Sequence, residues 1–289
     1  MRFSVLLVLV LQAPQTPAPV PLDYDVRRPV DVQPLSPADR QGVVVKQISY
    51  EQLDGTRNAA TLVLPAAAPA GPRPAILYAH WYEPPKPSSN RTEFLAEAIE
   101  LASLGTVSLL VDTPWRAEGW FAGRDSSRDY EFSVQQAKEI RHALDVLLAQ
   151  GPIDPSRVAI VGHDFGAMYG ALAAAADVRV THLVYMAGSG SMAEWFLFQP
   201  KREGSDRDAF VAKLHPLDPE LALARFSPRP VLLQFGTKDR FVSADNAKAQ
   251  ADAVKGPKTV RMYEGAEHEL TYTAVRDRIG WIKEQFRLK

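Results

Sequence analysis

The chain has no cysteine in its 289 residues. That absence excludes disulfides, thiolate metal sites, iron–sulfur clusters, a cysteine nucleophile and a lipidated-cysteine anchor. It also lacks an excess of either charge, with 33 Lys and Arg against 34 Asp and Glu. A protein held to nucleic acid by phosphate contacts needs a basic surplus to release counterions, so no nucleic-acid partner is expected. A polybasic membrane anchor is excluded on the same ground. Long apolar runs are missing as well. Residues 3–11 are apolar except for Ser4, but a bilayer-spanning helix needs about 20 residues. Following Arg2, this run has the form of a secretory leader ending near Ala18, although Pro19 is a poor residue after a cut. Export to the periplasm or the medium is the expectation. The six His residues are scattered and show neither H-x-x-E-H nor H-E-x-x-H spacing, and no Gly-Lys-Ser/Thr phosphate loop is present. No metal and no nucleotide cofactor are therefore expected.

What is present is ordinary globular material, 46% hydrophobic, enough for one large α/β domain or two small ones. Residues 1–18 read as leader and 19–42 as a Pro-rich extended linker or wrapping arm. Residues 43–289 read as the folded domain. Two β-rich segments flank the turn pair Asp54-Gly55 and predict an antiparallel hairpin. Strand and helix signals then alternate to the end of the chain. The helices are predicted over 92–104, 131–150, 165–176, 244–254 and 271–286. This alternation predicts a mostly parallel sheet of about eight strands with helices on both faces. Ligands in such sheets sit outside the carboxyl ends of the strands, so the residues just after each strand carry the most information.

Three such positions stand out. The first, Gly162-His163-Asp164-Phe165-Gly166, lies between a buried strand and an Ala/Gly-rich helix. It is a G-x-D-x-G form of the G-x-S-x-G nucleophile elbow, where a sharp turn lifts one side chain above the sheet. The second is Thr237-Lys238-Asp239-Arg240, after the strand VLLQFG. The third is Gly265-Ala266-Glu267-His268, after KTVRMYEG. Asp164, Asp239 and His268 thus follow in the chain order nucleophile, acid, histidine. In that reading Asp239 orients His268, and His268 activates a water. Read singly, Asp164 is a helix cap and His268 a loop residue.

These motifs resemble those of the α/β-hydrolases from about residue 43 to the end. The long helix before IDPSRVAIVGHDFG, the RPVLLQFGTKDRFV segment and GAEHEL are most similar to dienelactone-hydrolase-like enzymes. Those enzymes carry Cys at the elbow and related esterases carry Ser, whereas this chain has Asp164. An Asp there resembles haloalkane and haloacetate dehalogenases and epoxide hydrolases, whose nucleophile is Asp.

The residue type limits the chemistry. A carboxylate attacking an acyl carbon gives an anhydride, a costly intermediate. A carboxylate attacking an sp³ carbon that bears a leaving group gives a simple ester, which water can resolve. The oxyanion donors expected for that ester are the N–H of Phe165 and an N–H of Trp81 or Tyr82. His80, His163, Trp115 and Trp195 are candidate pocket residues, with a Trp indole able to hold a halide. Arg116, Arg124 and Arg128 are candidates for a substrate carboxylate. Residues 189–228, which contain EWFLFQP, read as a reduced lid. They hold no Tyr, which weakens an epoxide reading because that chemistry uses cap tyrosines. The expected function is hydrolysis of a small molecule, either through a covalent ester on Asp164 or, for an ester or lactone, with Asp164 as base. The alternative is a non-catalytic ligand-binding protein on the same fold. Composition fixes no oligomeric state.

Overall fold

In the computed structural model, which describes residues 17–36, 38–40, 42–67, 71–84 and 86–289, ten strands among the described residues form one sheet. They are β1 (Val32–Pro34), β2 (Asp39–Arg40), β3 (Val43–Glu51), β4 (Arg57–Pro65), β5 (Arg73–Ala79), β6 (Val107–Val111), β7 (Ile153–His163), β8 (His182–Met186), β9 (Val231–Gly236) and β10 (Lys258–Tyr263). The helices are α1 (Leu95–Ser103), α2 (Trp120–Gly123), α3 (Asp129–Leu148), α4 (Phe165–Ala176), α5 (Met192–Phe196), α6 (Gly204–Leu214), α7 (Pro219–Phe226), α8 (Ala244–Ala253) and α9 (Tyr272–Phe286).

The strand order is β1-β3-β4-β6-β5-β7-β8-β9-β10, with β2 also on β3. β3 and β4 form the expected hairpin across Asp54-Gly55, and β4 joins β6 antiparallel. From β6 through to β10 every pairing is parallel. All seven residues of β5 are buried, as a strand covered on both faces requires. Successive side chains alternate between two core layers. Leu77 and Ala79 pack with Ala137, Leu144 and Phe165 on the α3–α4 face. Ile76 and Tyr78 pack with Phe94, Leu101, Ile279 and Ile282 on the α1–α9 face.

The strands expected from residue 43 onward are β3 to β10; β1 and β2 are additions within the stretch read as linker. Val32–Pro34 pairs antiparallel with Ile48–Tyr50. So short a strand in a Pro-rich segment arises from the unpaired edge of β3, not from its own pattern. The rest of this stretch is a wrapping arm. Leu22 is buried, its carbonyl accepts from Arg141, and the Tyr24 hydroxyl donates to Asp145 at 2.6 Å. The leader expected over 1–18 lies outside the described residues except for its last two. Among the described residues no helix is long and apolar enough to cross a membrane.

Candidate active site

The turn from β7 into α4 is tight because two glycines allow backbone to touch backbone. A Cβ on Gly162 would lie 2.3 Å from the Gly166 carbonyl oxygen, and one on Gly166 would lie 2.1 Å from that of Ala79. Between them Asp164 adopts φ 55°, ψ −121°. A non-glycine residue held there stores about 1–3 kcal/mol of strain, and the neighbouring hydrogen bonds maintain it. The Asp164 N–H donates to the Met186 carbonyl at 2.9 Å, and its own carbonyl accepts from Met168 at 3.0 Å.

The Asp164 carboxylate is buried and its two oxygens differ. Oδ2 accepts the Tyr82 N–H at 2.9 Å. Oδ1 is buried without a hydrogen-bond partner. Burial pushes the Asp164 pKa up to about 7, against the opposing pull of His268, the Tyr82 N–H and the Trp195 indole, with Glu93 adding a small upward push. Phe165 opens α4, so its N–H belongs to the first turn, whose donors have no intrahelical acceptor.

His268 meets Asp239 as the motif order requires. Its Nδ1 donates to Asp239 Oδ2 at 2.8 Å. Asp239 Oδ1 accepts from the N–H groups of Phe241 at 2.8 Å and Val242 at 3.1 Å. Burial acts to raise the Asp239 pKa, but His268 and these two N–H groups hold the carboxyl below its usual range. Gly236 lets the His268 loop approach the end of β9, since a Cβ there would sit 2.4 Å from the Ala266 carbonyl oxygen. The face of His268 is packed by Phe241, with ring centroids 4.9 Å apart, and by Trp195 at 5.9 Å.

Asp164 and His268 line one cavity of about 320 Å³. Tyr82, Phe121, Phe165, Trp195, Phe198 and Phe241 form apolar walls, while Glu83, Gln199 and Arg240 supply polar groups. Trp195 and Phe198 come from the 189–228 segment, which folds as α5, α6 and α7. Its cavity residues, Trp195, Phe198 and Gln199, all lie within EWFLFQP. Phe121, Phe198 and Phe241 carry no sequence signal that separates a pocket wall from core.

Several expected site residues serve elsewhere. The Trp81 N–H donates to Glu93 Oε2 at 2.8 Å, so of the two candidate second donors it is Tyr82 that faces Asp164. His80 does not line the cavity. Its Nδ1 donates to the Trp81 carbonyl at 2.7 Å and its Nε2 accepts from the Thr113 hydroxyl at 2.7 Å. That pattern requires a neutral ring, and burial lowers the His80 pKa accordingly. The Trp81 carbonyl and the Tyr82 N–H share one planar peptide unit. His80, together with Ser89 at 3.2 Å, therefore sets the direction of the N–H that reaches Asp164. Trp115 is also off the cavity: it is fully buried, stacks on Tyr169 and donates to the His80 carbonyl at 3.0 Å. His163 is buried beneath the site and bonded to Glu93 at 2.6 Å. A buried polar ring must find partners, and these three found them in the scaffold. Arg124 is likewise committed, to Asp129 at 2.9 Å and the carbonyls of Phe121 and Phe196. Arg116 lies 3.5 Å from Asp112, and Arg128 is exposed. Among the described residues no group of three or more His, Asp and Glu side chains is disposed to hold a metal ion.

A model of the alpha/beta hydrolase family matches residues 80–282. The chain belongs to that family. Its enzyme class is accordingly hydrolase, and its layout is dienelactone-hydrolase-like. Among solved structures it is similar to an acetyl xylan esterase from Paenibacillus sp. R4, with 19% identity, TM-score 0.74, and coverage of 89% of this chain and 90% of that one. It is also similar to an S-formylglutathione hydrolase from Agrobacterium tumefaciens, with 19% identity, TM-score 0.65, and 88% and 99% coverage. A third is a Klebsiella pneumoniae subsp. pneumoniae MGH 78578 protein assigned provisionally as a dienelactone hydrolase, with 16% identity, TM-score 0.61, and 86% and 99% coverage. At these identities the likeness is one of fold. No curated protein matches the chain by sequence.

Proposed function

We propose that this hydrolase displaces a leaving group, a halide or its equivalent, from an sp³ carbon of a small molecule through a covalent ester on Asp164. Asp164 Oδ1 attacks, the new C–O bond forms as the carbon–halogen bond breaks, and the halide departs with the electron pair. His268 then takes a proton from water while the hydroxide adds to the Asp164 carboxyl carbon. Collapse expels the alcohol, which takes the proton back from His268, and Asp239 stabilises the intervening imidazolium.

The observation that carries this reading is the 2.9 Å bond from the Tyr82 N–H to Asp164 Oδ2. That donor is positioned for the oxyanion formed on the Asp164 ester, each such donor being worth about 3 kcal/mol in the transition state. For a substrate ester to use the same N–H, it would first have to displace the enzyme's own carboxylate. A second reading, direct ester or lactone hydrolysis with Asp164 as base, draws support from its pKa near 7, which suits a general base at neutral pH.

One turnover in ¹⁸O-water separates the two. The panel is 1-bromohexane, bromoacetate, a terminal epoxide, an aryl acetate and dihydrocoumarin. The covalent route places ¹⁸O in the peptide containing Asp164 and leaves the first-turnover alcohol unlabelled. Label that appears in product alone overturns it in favour of the base reading. In His268→Ala the covalent route leaves a substrate-mass adduct on Asp164. The leader reading further proposes that the working protein lies outside the cytoplasm, which the N-terminal mass of the native protein tests.

A further inference from the structure

Beside the cavity lies a pair that the proposed mechanism does not use, the buried His163 and the part-buried Glu93. Glu93 has two partners, one on each oxygen: Oε2 accepts the Trp81 N–H at 2.8 Å, and Oε1 is hydrogen-bonded to His163 Nδ1 at 2.6 Å. His163 Nε2 in turn faces the carbonyl of His268 at 3.0 Å. Both ring nitrogens of His163 thus face oxygen atoms: Nε2 donates to the His268 carbonyl, which can only accept, and the short Nδ1–Glu93 contact holds a proton between the two groups. The ring also stacks on Trp81, with centroids 4.8 Å apart and planes 13° apart. Neither Glu93 nor His163 lines the cavity that holds Asp164.

Three segments of the chain meet in this pair. Trp81 precedes the residue whose N–H holds Asp164 Oδ2. His163 precedes Asp164 itself. His268 is the histidine paired with Asp239. An acid–imidazole pair largely removed from water brings little net stability compared with apolar residues of the same shape, so core packing gives no reason for one here. We propose that Glu93 and His163 are positioning residues that act as one unit to hold the Tyr82 N–H and the His268 ring in register with Asp164. The kinetic part of this inference rests on the covalent reading above. Tyr82 and His268 both serve hydrolysis of the ester, whereas attack on the substrate carbon needs only Oδ1 and its aim. Loss of the pair therefore slows breakdown of the ester more than its formation.

The variants are Glu93→Gln, which is isosteric but lacks the charge, and His163→Phe, which keeps a ring on Trp81. The control is Tyr24→Phe, which removes a hydrogen bond on the N-terminal arm. The first readout needs no substrate: the low-field proton of the His268–Asp239 bond in the NMR spectrum, assigned by its loss in His268→Ala. It is expected to shift or vanish in both variants and to stay in place in the control. The second readout is pre-steady-state halide release from 1-bromohexane. Each single variant is expected to give a burst of one equivalent followed by a steady state on the order of 10²-fold slower than wild type, as for loss of an oxyanion donor, with no rise in KM. The double variant is expected to be no slower than the worse single one, as residues acting as a unit require.

An unshifted His268 proton in both variants overturns the inference, as do rates that fall without a burst. If His163→Phe fails to fold, Glu93→Gln decides alone. If wild type turns over no member of the panel, or His268→Ala traps no adduct, the covalent reading has failed and the NMR arm still decides the positioning role.

Discussion

Two buried carboxylates, Asp164 past the carboxyl end of β7 and Glu97 on α1, show what partners do to a charge. Glu97 accepts two bonds from Arg278, at 2.9 and 2.7 Å, and one from the Tyr78 hydroxyl at 3.3 Å. Arg278 also reaches Gln234 at 3.0 Å. Burial raises the pKa of Glu97, and Arg278 opposes the rise. Asp164 is equally buried, but its partners are a single N–H on Oδ2 and the nearby Trp195 and His268. Oδ1 is left without a hydrogen bond, on a backbone held at φ 55°. A buried carboxylate with both oxygens hydrogen-bonded is scaffold; Asp164 has an oxygen that accepts no hydrogen bond, in a side chain that lines a cavity, and so keeps bonding capacity free.

The largest test of this contrast is to remove the idle oxygen's chemistry. Asp164→Asn is expected to lower turnover by about 10⁴-fold or more, as loss of a nucleophile does, measured by halide release on the panel above. Next, breaking the satisfied pair should cost stability in place of activity. Glu97→Ala leaves Arg278 buried and unpaired and is expected to lose about 3–5 kcal/mol, read from denaturant midpoints. A Glu97→Ala protein as stable as wild type would remove the contrast.

A smaller effect follows from the sign of the Asp164 shift. Its pKa is near 7 in the folded chain and about 3.9 unfolded. Between those values the folded state keeps a proton that the unfolded state has released, so stability falls as pH rises from about 4 to about 7 and then levels off. Asp164→Asn lacks this slope. It should be the more stable protein at pH 8, by up to about 4 kcal/mol at 1.36 kcal/mol per unit, with the gap closing near pH 4. Thermal unfolding of both proteins across that range checks it. The same carboxylate must be ionised to attack, so kcat/KM should rise with pH through a midpoint near 7, and a flat profile between pH 6 and 8 would contradict the role. Smallest of all, Tyr24→Phe should cost about 1 kcal/mol, the net worth of one hydrogen bond, with activity unchanged.

The fold was legible because its signals are local. Buried runs such as Arg73–Ala79 and small-residue helices such as Phe165–Ala176 declare their period and their burial within a few residues. Asp164, Asp239 and His268 were legible for a related reason: each stands just past a strand's carboxyl end, where chain order alone implies proximity. His80, His163 and Trp115 were not, because a polar ring near a strand's end looks the same whether it faces a substrate or a partner from a distant segment. Glu93 was hidden in a different way. Following Asn90 in NRTE, it reads as part of a helix start, and nothing nearby reveals that its carboxylate bridges Trp81 and His163.

The sequence by itself determined eight of the sheet's ten described strands, the order of the three motif residues and the acid at the elbow. Those follow from residue type and local periodicity. Only the tertiary structure decided which N–H faces Asp164, which rings wall the cavity and which are struts, and how far burial moves a carboxyl pKa. Each of those depends on groups far apart in the chain arriving within about 3 Å of one another, the reach of a hydrogen bond.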